Sequence, residues 1–189
     1  VETVSQQFEI VVAAINDAPI LGDNNSIDDF YEDQIIEIAL LASDVDGDEI
    51  TFEIVNDVEN GILTLEGAVA TYIPNENYSG IDSFNFMASD GNLTTDPVSI
   101  AIHVGAVNDP PILATLSDVT FDEGGEDTLS LSASDVDLDD LTYSITDGTE
   151  ITAILDVDSI AFNADENYNG SENFTVTVSD GDLVDSQLI

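Results

Sequence analysis

Apolar and polar residues alternate with a period of two along most of the chain. Ile36, Ile38 and Leu40 occupy alternate positions, and Phe84 and Phe86 repeat the spacing further on. Successive side chains of a β-strand point to opposite faces, so this alternation predicts strands with one buried face. No stretch sustains the 3.6-residue period of a helix. The pattern therefore predicts an all-β fold.

Turn residues separate the predicted strands. Asn60-Gly61 precedes one alternating segment, and Gly supplies the positive φ angles that tight turns need. Tyr78 and Tyr168 each come just before a strand that ends in Ser-Asp-Gly, in the manner of the tyrosine corner of sandwich folds. Many short strands divided by Gly, Asn and Asp indicate antiparallel β-sandwiches.

The same series of sequence motifs occurs twice along the chain, about ninety residues apart. The pentapeptide Ala42–Asp46, which is Ala-Ser-Asp-Val-Asp, returns as Ala133–Asp137. The linker Asn-Asp-Ala-Pro at 16–19 returns as Asn-Asp-Pro-Pro at 108–111. Self-similarity at a fixed period marks tandem copies of one structural unit, so function has to be sought in what the unit repeats.

The repeats divide the chain into three segments. Residues 16–107 form one complete repeat, and residues 108–189 form a second repeat that lacks its final strand. Residues 1–15 are interpreted as the last strand of a preceding repeat. The reason is that Gln7–Ala14 stand before the first linker as Ser99–Ala106 stand before the second.

Composition excludes several functions. The 189 residues include no Lys or Arg, 41 Asp plus Glu and one His, for a formal net charge of −41. Nucleic acids and anionic lipids bind through Lys and Arg, so we expect this polyanion to bind neither. No apolar run reaches the ~20 residues that span a bilayer, so no membrane insertion is expected. The chain has no Cys, which excludes disulfides and thiolate metal sites.

Acidic residues and Asn recur in each repeat at the linker, the Asp-Val-Asp loop and the Ser-Asp-Gly loop. A sandwich topology brings these segments to one end, and Ca²⁺ takes six to eight oxygen ligands of this kind. The candidate ligands are Asn16, Asp17, Asp44, Asp46, Asp48 and Asp90 in the first repeat, and Asn108, Asp109, Asp135, Asp137 and Asp180 in the second, with Asp139 as a further candidate. The alternative is an acidic surface that is merely solvated.

The motifs resemble those of a known family. Asn-Asp-Ala-Pro, Ser-Asp-Val-Asp-Gly-Asp, Asn-Glu-Asn-Tyr-x-Gly and Ser-Asp-Gly begin in that order at Asn16, Ser43, Asn75 and Ser89. This series resembles the bacterial cadherin-like tandem repeats of large calcium-binding surface adhesins, the RTX-type and giant adhesins, and of secreted proteins. The resemblance implies an all-β fold of tandem cadherin or immunoglobulin-like Greek-key β-sandwiches.

The resemblance also implies where calcium is held. Cadherin-like folds bind calcium between successive domains, so it implies a ligand set drawn from both repeats. That set consists of Glu32, Glu76, Asn108, Asp109, Asp135, Asp137 and Asp180. The equivalent acids of the first repeat are expected to bind more weakly, because no complete repeat precedes them here.

We therefore predict a calcium-binding repeat, made rigid by Ca²⁺, in the stalk of a secreted or cell-surface bacterial adhesin that serves cell adhesion or biofilm formation. Its expected partners are neighbouring repeats of the same protein, with homophilic or head-to-tail self-association as a further candidate.

Two other functions stay open. One is a carbohydrate-binding module of a secreted polysaccharide-active protein, although the chain has no Trp for a stacking platform. The other is a subunit that forms head-to-tail extracellular fibres by donating its N-terminal strand to another molecule. An enzyme is not expected, because His103 lies on the polar side of its strand with no nucleophile motif nearby.

Overall fold

A computed structural model describes residues 3, 5–23 and 26–189. It forms two compact units, Val1–Val107 and Asn108–Ile189. Every regular element in the described residues is a β-strand, which confirms the all-β prediction. Within the same residues, no helix is long and apolar enough to cross a membrane.

The first unit is built from two sheets. Its strands are β1 Ile20–Leu21, β2 Ile27–Tyr31, β3 Ile36–Ala39, β4 Ala42–Ser43, β5 Thr51–Asn56, β6 Gly61–Glu66, β7 Val69–Pro74, β8 Gly80–Ser89 and β9 Val98–Gly105. One sheet has the order β2-β9-β8-β5 and the other β3-β7-β6, while β1 pairs with β4. Strand β2 runs parallel to β9, and the other pairs are antiparallel.

Alternate residues of both sheets share one core in the first unit. Ile38 and Tyr72 come from the three-stranded sheet, and Phe84, Phe86 and Ile102 from the four-stranded sheet. All five are buried, as the period-two pattern predicts. The predicted structural role of the first corner tyrosine also holds, because the Tyr78 hydroxyl donates a 2.9 Å hydrogen bond to the backbone carbonyl of Ile81.

The second unit repeats the plan, except that one of its sheets has three strands where the first unit has four. Its strands are β10 Ile112–Leu113, β11 Glu126–Ser130, β12 Ala133–Ser134, β13 Thr142–Ile145, β14 Ile151–Asp156, β15 Ser159–Ala164, β16 Thr175–Ser179 and β17 Val184–Leu188. The sheets have the orders β11-β15-β14 and β13-β16-β17, and β10 pairs with β12. Its core includes Ile160, Phe162, Phe174 and Val176.

The segments near the two ends of the chain form less β-structure than the equivalent strand β9 of the first unit. Strand β17 pairs with β16 over five residues and occupies the start of the final-strand position, where β9 has eight residues. The predicted strand at residues 1–15 falls partly on residues 1, 2 and 4, which lie outside the described residues. Over residues 5–15 the structure assigns no strand. The physical reason is that a β-strand needs a hydrogen-bonded neighbour, and this segment is not paired with one here.

Candidate metal centre

The linker and two acidic loops meet at one end of the second unit. The Asn108 side-chain amide donates a 2.9 Å hydrogen bond to the carboxylate of Asp180, in the Ser-Asp-Gly loop. The backbone N–H of Asp109 donates a 2.8 Å hydrogen bond to the carboxylate of Asp137, in the Asp-Val-Asp loop. The structure thus brings these four predicted ligands into one cluster.

The first unit has the same arrangement. The Asn16 side-chain amide donates to Asp90 Oδ2 at 2.8 Å, and the Asp17 backbone N–H donates to Asp46 Oδ2 at 2.9 Å. Two units of different sequence therefore reproduce the same pair of hydrogen bonds between linker and loops. The cluster is a property of the repeated unit.

The first Asp of each Asp-Val-Asp loop shapes that loop with one carboxylate oxygen. Asp44 Oδ1 accepts hydrogen bonds from the N–H groups of Asp46 at 2.8 Å, Gly47 at 3.1 Å and Asp48 at 3.3 Å. Asp135 Oδ1 accepts from the N–H of Asp137 at 2.9 Å. A short polar side chain that bonds to the backbone ahead of it stabilises a tight loop against extended structure.

The second carboxylate oxygen of Asp44 and that of Asp135 do not accept hydrogen bonds from the loop backbone. Oδ2 of Asp44 and Oδ2 of Asp135 are both buried, and neither accepts a hydrogen bond from the described residues. A buried charged oxygen without a partner costs at least ~1–3 kcal/mol. Coordination to a cation removes that cost, so the donor set fits a metal ion.

Three carboxylates converge in the second unit. Ligand oxygens of Asp135, Asp137 and Asp139 lie within 4.8 Å of one another. Desolvation, followed by repulsion from the Asp135 and Asp137 carboxylates, raises the pKa of Asp139. Three carboxylates at this spacing supply the all-oxygen coordination that hard cations such as Ca²⁺ prefer.

The same loop contains an unusual backbone conformation. Leu138 has a φ of +66°, and its counterpart in the first unit, Gly47, has a φ of +81°. Glycine adopts positive φ freely, whereas a leucine there is strained by roughly 1–2 kcal/mol. Leu138 is also 87% exposed, so no packing explains its conformation. The loop holds Asp137 and Asp139 on either side of this strained residue.

The aspartates of the Ser-Asp-Gly loops are anchored to their own backbones. Asp180 Oδ1 accepts hydrogen bonds from the N–H groups of Asp182 at 2.7 Å and Leu183 at 2.6 Å. The hydrogen bond from Leu183 and then that from Asn108 lower the pKa of Asp180. The pKa of Asp90 is lowered in the same way. These two carboxylates therefore stay ionised to a lower pH than an unperturbed aspartate does.

Glu32 is buried, and only one of its two carboxylate oxygens accepts a hydrogen bond from the described residues. It follows β2, and its Oε1 accepts a 2.8 Å hydrogen bond from the backbone N–H of Val107, in the same unit. Its Oε2 is buried and accepts no hydrogen bond from the described residues. Glu32 thus presents the same kind of unpartnered oxygen as Asp44 and Asp135. Its predicted sharing of an ion with residues of the second unit stays a prediction.

Glu76 lies exposed in the turn after β7. Its counterpart in the second unit, Glu166, packs close to Gly124, where a Cβ would lie 3.6 Å from Glu166 Cγ. Gly124 directly follows Glu123, the counterpart of Glu32. The two glutamate-bearing segments thus share one end of the second unit, and the role of Glu76 as a ligand stays a prediction.

Sequence reasoning did not assign a role to Asp82, which is buried in the first unit. Its carboxylate accepts hydrogen bonds from the N–H groups of Glu59 and Asn60 at 3.1 and 2.8 Å and from the Tyr72 hydroxyl at 3.1 Å. Burial opposes ionisation, but the two backbone hydrogen bonds help to lower the pKa of Asp82 below its usual value. With its oxygens engaged by the protein, Asp82 anchors a turn. One feature of the sequence could have indicated this role. Asp82 lies two residues before the inward-facing Phe84, so its side chain points to the same face of the strand.

Comparisons with known proteins identify the domain family of these two units. The profile of a family described as "Bacterial Ig domain" matches residues 16–103 and 108–189. Chitinase A of Pseudoalteromonas piscicida is 26% identical over 170 residues, which are 88% of this chain and 20% of that protein. This chain therefore spans about a fifth of the length of that relative.

Solved structures of cadherin domains share the fold. Extracellular cadherin domains 1–5 of protocadherin gamma B2 match with a TM-score of 0.57 at 18% identity, over 93% of this chain and 39% of that chain. Domains 3–6 match with a TM-score of 0.53 at 14% identity, over 90% of this chain and 46% of that one. The predicted cadherin or immunoglobulin-like β-sandwich is thereby confirmed. The chain belongs to the bacterial Ig domain family and contains two tandem copies of its domain.

Proposed function

We propose that each unit binds Ca²⁺ at its linker end and that the chain is a calcium-binding repeat of a secreted or cell-surface bacterial adhesin. The observation that carries this proposal is the pair of buried carboxylate oxygens, Asp44 Oδ2 and Asp135 Oδ2, that accept no hydrogen bond from the described residues. Each lies in an acidic loop that is hydrogen-bonded to the linker.

In the second unit, Asp135, Asp137 and Asp139 supply the carboxylate oxygens. Asn108 uses its side-chain amide nitrogen on Asp180, which leaves its amide oxygen as a further ligand. Calcium accepts this mixture of carboxylate and amide oxygens because it has no strict geometric preference. Neutralising the cluster also relieves repulsion within a chain of net charge −41.

The function we propose is mechanical. The linker residues belong to the site, so a bound ion restrains the linker and stiffens an array of such repeats. Extracellular calcium modules bind at ~10⁻⁴ to 10⁻³ M, so the stiff state would form outside the cell, where calcium is abundant. Neighbouring repeats of the same protein are then its partners, and cell adhesion or biofilm formation is the process served.

Isothermal titration of the chain with Ca²⁺ tests this proposal, with Asp135→Asn as the main variant. We expect the variant to lose affinity at the second unit by at least roughly tenfold, because one charged ligand of the cluster is removed. Asp147→Asn is the matched control, since Asp147 is exposed in the turn that follows β13 at the end remote from Ser179. Equal calcium affinity for the wild-type chain and Asp135→Asn would refute the site.

A carbohydrate-binding module is the second candidate, and the similarity to a protein named Chitinase A is the observation that favours it. Retention of the chain on chitin, compared with retention on cellulose, tests it directly. Retention on chitin alone would favour this candidate, and failure to bind either polymer would favour the calcium stalk.

We propose no catalytic role for the chain. His103 lies on the outer face of β9, and its Nδ1 is 3.3 Å from Asp28 Oδ1 on β2. Both side chains are well exposed. A hydrolytic triad needs a positioned nucleophile beside the histidine, and these two residues form a surface pair instead.

A further inference from the structure

Strand β2, at the edge of the four-stranded sheet of the first unit, contains a β-bulge. It pairs with β9 so that Ile27 lies opposite Ile102 and Phe30 lies opposite Val104. The step from Ile27 to Phe30 is three residues along β2, whereas the matching step along β9 is two. Asp29, inside this step, has a φ of +60°. A bulge of this kind inserts one extra residue and re-aims the side chains beside it.

The bulge places Asp28 and Tyr31 on the same face of the sheet. In a regular strand, residues three positions apart point to opposite faces. Here Phe30 is buried, whereas the side chain of Asp28 is 62% exposed and Tyr31 is 44% exposed. The extra residue therefore lets both of these side chains reach the outer surface of the sheet.

Asp28 and Tyr31 lie beside His103, the one histidine of the sequence. His103 Nδ1 is 3.3 Å from Asp28 Oδ1. Tyr31 pairs with Gly105, which is two residues beyond His103 and so on the same face of β9. On the other side of His103, β8 contributes Ile81, which is 67% exposed. Asp28, Tyr31, Ile81 and His103 thus form one surface, the outer patch.

Gly105 determines where the ring of Tyr31 lies. A Cβ at residue 105 would be 2.9 Å from Tyr31 Cδ1 and 3.0 Å from Tyr31 Cε1. Carbon atoms that are not bonded to each other prefer separations of about 3.5–4.0 Å. The ring therefore occupies space that a side chain at residue 105 would need. It rests on the sheet there and leaves its other side open to solvent.

We propose that the outer patch binds a sugar residue of a neutral glycan, a proposal that rests on the carbohydrate-binding candidate above. The open side of the Tyr31 ring is a flat apolar surface against which the C–H groups of a sugar ring can pack. The carboxylate of Asp28 accepts hydrogen bonds from sugar hydroxyls. Because Nδ1 of His103 faces Asp28, Nε2 of His103 is left for a further hydroxyl.

Charge selects which glycans fit the outer patch. The chain has a net charge of −41 and no Lys or Arg, so it repels sugars that carry carboxylate or sulfate groups. A neutral sugar meets no such repulsion, and its hydroxyls can donate to Asp28. The second unit has Val119 and Asp122 at the positions of Asp28 and Tyr31. The first unit is therefore the one that we expect to bind.

NMR titration of the full chain with a neutral tetramer of N-acetylglucosamine, in chelator, tests the proposal without any contribution from calcium. A single histidine gives a single set of imidazole signals, so His103 reports directly on the outer patch. We expect these signals to shift and to saturate as the tetramer is added. A tetramer of a uronic acid should cause no saturable shift, because its carboxylates are repelled.

Variants of Tyr31 and Gly105 test the role of the aromatic ring. Tyr31→Ala should weaken binding of the tetramer by at least roughly tenfold, and Gly105→Ala should also weaken it, because the new Cβ displaces the ring. Tyr31→Phe keeps the ring and should change the affinity by less than about twofold. Ile62→Ala is the matched control, because Ile62 is an exposed residue of the other sheet, and it should have no effect.

Failure of the outer patch can be told apart from failure of the carbohydrate-binding candidate. Retention of the wild-type chain on chitin with unshifted His103 signals would put the glycan elsewhere and overturn the outer patch alone. Equal affinities of Tyr31→Ala and the wild type for the tetramer would do the same. If the chain is not retained on chitin and the tetramer causes no shift, both the outer patch and the carbohydrate-binding candidate are overturned.

Discussion

The hydroxyl of Tyr72 donates a 3.1 Å hydrogen bond to the buried carboxylate of Asp82 in the first unit. Phe162 and Glu172 stand at the corresponding positions of the second unit. Glu172, with its longer side chain, accepts hydrogen bonds of 2.8–3.2 Å from the N–H groups of residues 149–151. Asp82 does the same for residues 59 and 60. Both carboxylates thus hold the same turn, but only the aspartate uses a tyrosine.

Tyr72→Phe should destabilise the first unit by about 1.5–3 kcal/mol. The reason is that the change removes a hydrogen bond to a buried charged group, the carboxylate of Asp82. Urea denaturation of the wild-type and variant chains measures the loss. Tyr31→Phe is the control, since Tyr31 is 44% exposed, and this change should alter the free energy of unfolding by less than about 0.5 kcal/mol. Equal stability of Tyr72→Phe and the wild type would show that the hydrogen bond contributes nothing.

Acid should weaken the first unit through Asp82. Its folded pKa is lowered, so its stabilisation is fully present above the unfolded value of about 3.8 and is lost as pH falls through the folded value. Tyr72→Phe removes one of the hydrogen bonds that lower this pKa. The free energy of unfolding of the variant should therefore fall less steeply with pH below about 4. Parallel pH profiles for variant and wild type would contradict this.

In the absence of calcium, ionisation of Asp139 should lower the stability of the second unit, whereas ionisation of Asp82 raises the stability of the first. Its folded pKa is raised, so the ionised group disfavours the folded state at neutral pH, and stability is regained as pH falls through the folded value. Asp139→Asn should thus stabilise the second unit in chelator. In saturating calcium the same change removes a ligand and should lower the stability. Thermal unfolding in both conditions measures this reversal, and a variant that is stabilised in saturating calcium as well as in chelator would exclude Asp139 as a ligand.

Leu138→Gly should stabilise the second unit by about 1 kcal/mol in chelator, because glycine adopts the observed positive φ without strain. The loss of packing is small, since the side chain is exposed. Val136→Gly, in the same loop but without a positive φ, is the control and should destabilise slightly. Thermal unfolding measures both changes. A destabilised Leu138→Gly would show that the leucine makes a favourable contact in the loop.

Calcium should raise the stability of both units, and chelation should reverse the effect. A ligand at 100 times its dissociation constant adds about 2.7 kcal/mol when it binds only the folded state. Differential scanning calorimetry, with Mg²⁺ at the same ionic strength as control, separates specific binding from charge screening. If Mg²⁺ stabilises the chain as much as Ca²⁺ does, the acidic ends act only as a diffuse negative surface.

Local patterns in the sequence were enough to predict the all-β fold and the repeated acidic loops. A period of two depends only on neighbouring residues, so the burial of Ile38, Phe84 and Ile102 could be predicted along the chain. The grouping of Asn108, Asp137 and Asp180 could also be predicted, because the two repeats carry the same motifs in the same order.

Only the tertiary structure revealed which carboxylates the protein itself satisfies. Asp82 and Asp135 are both acids in an acidic chain, yet Asp82 is saturated by hydrogen bonds and Asp135 retains a buried oxygen without a hydrogen bond from the described residues. This difference depends on pairing between residues that are distant in sequence, and the spacing of residue types along the chain does not encode it.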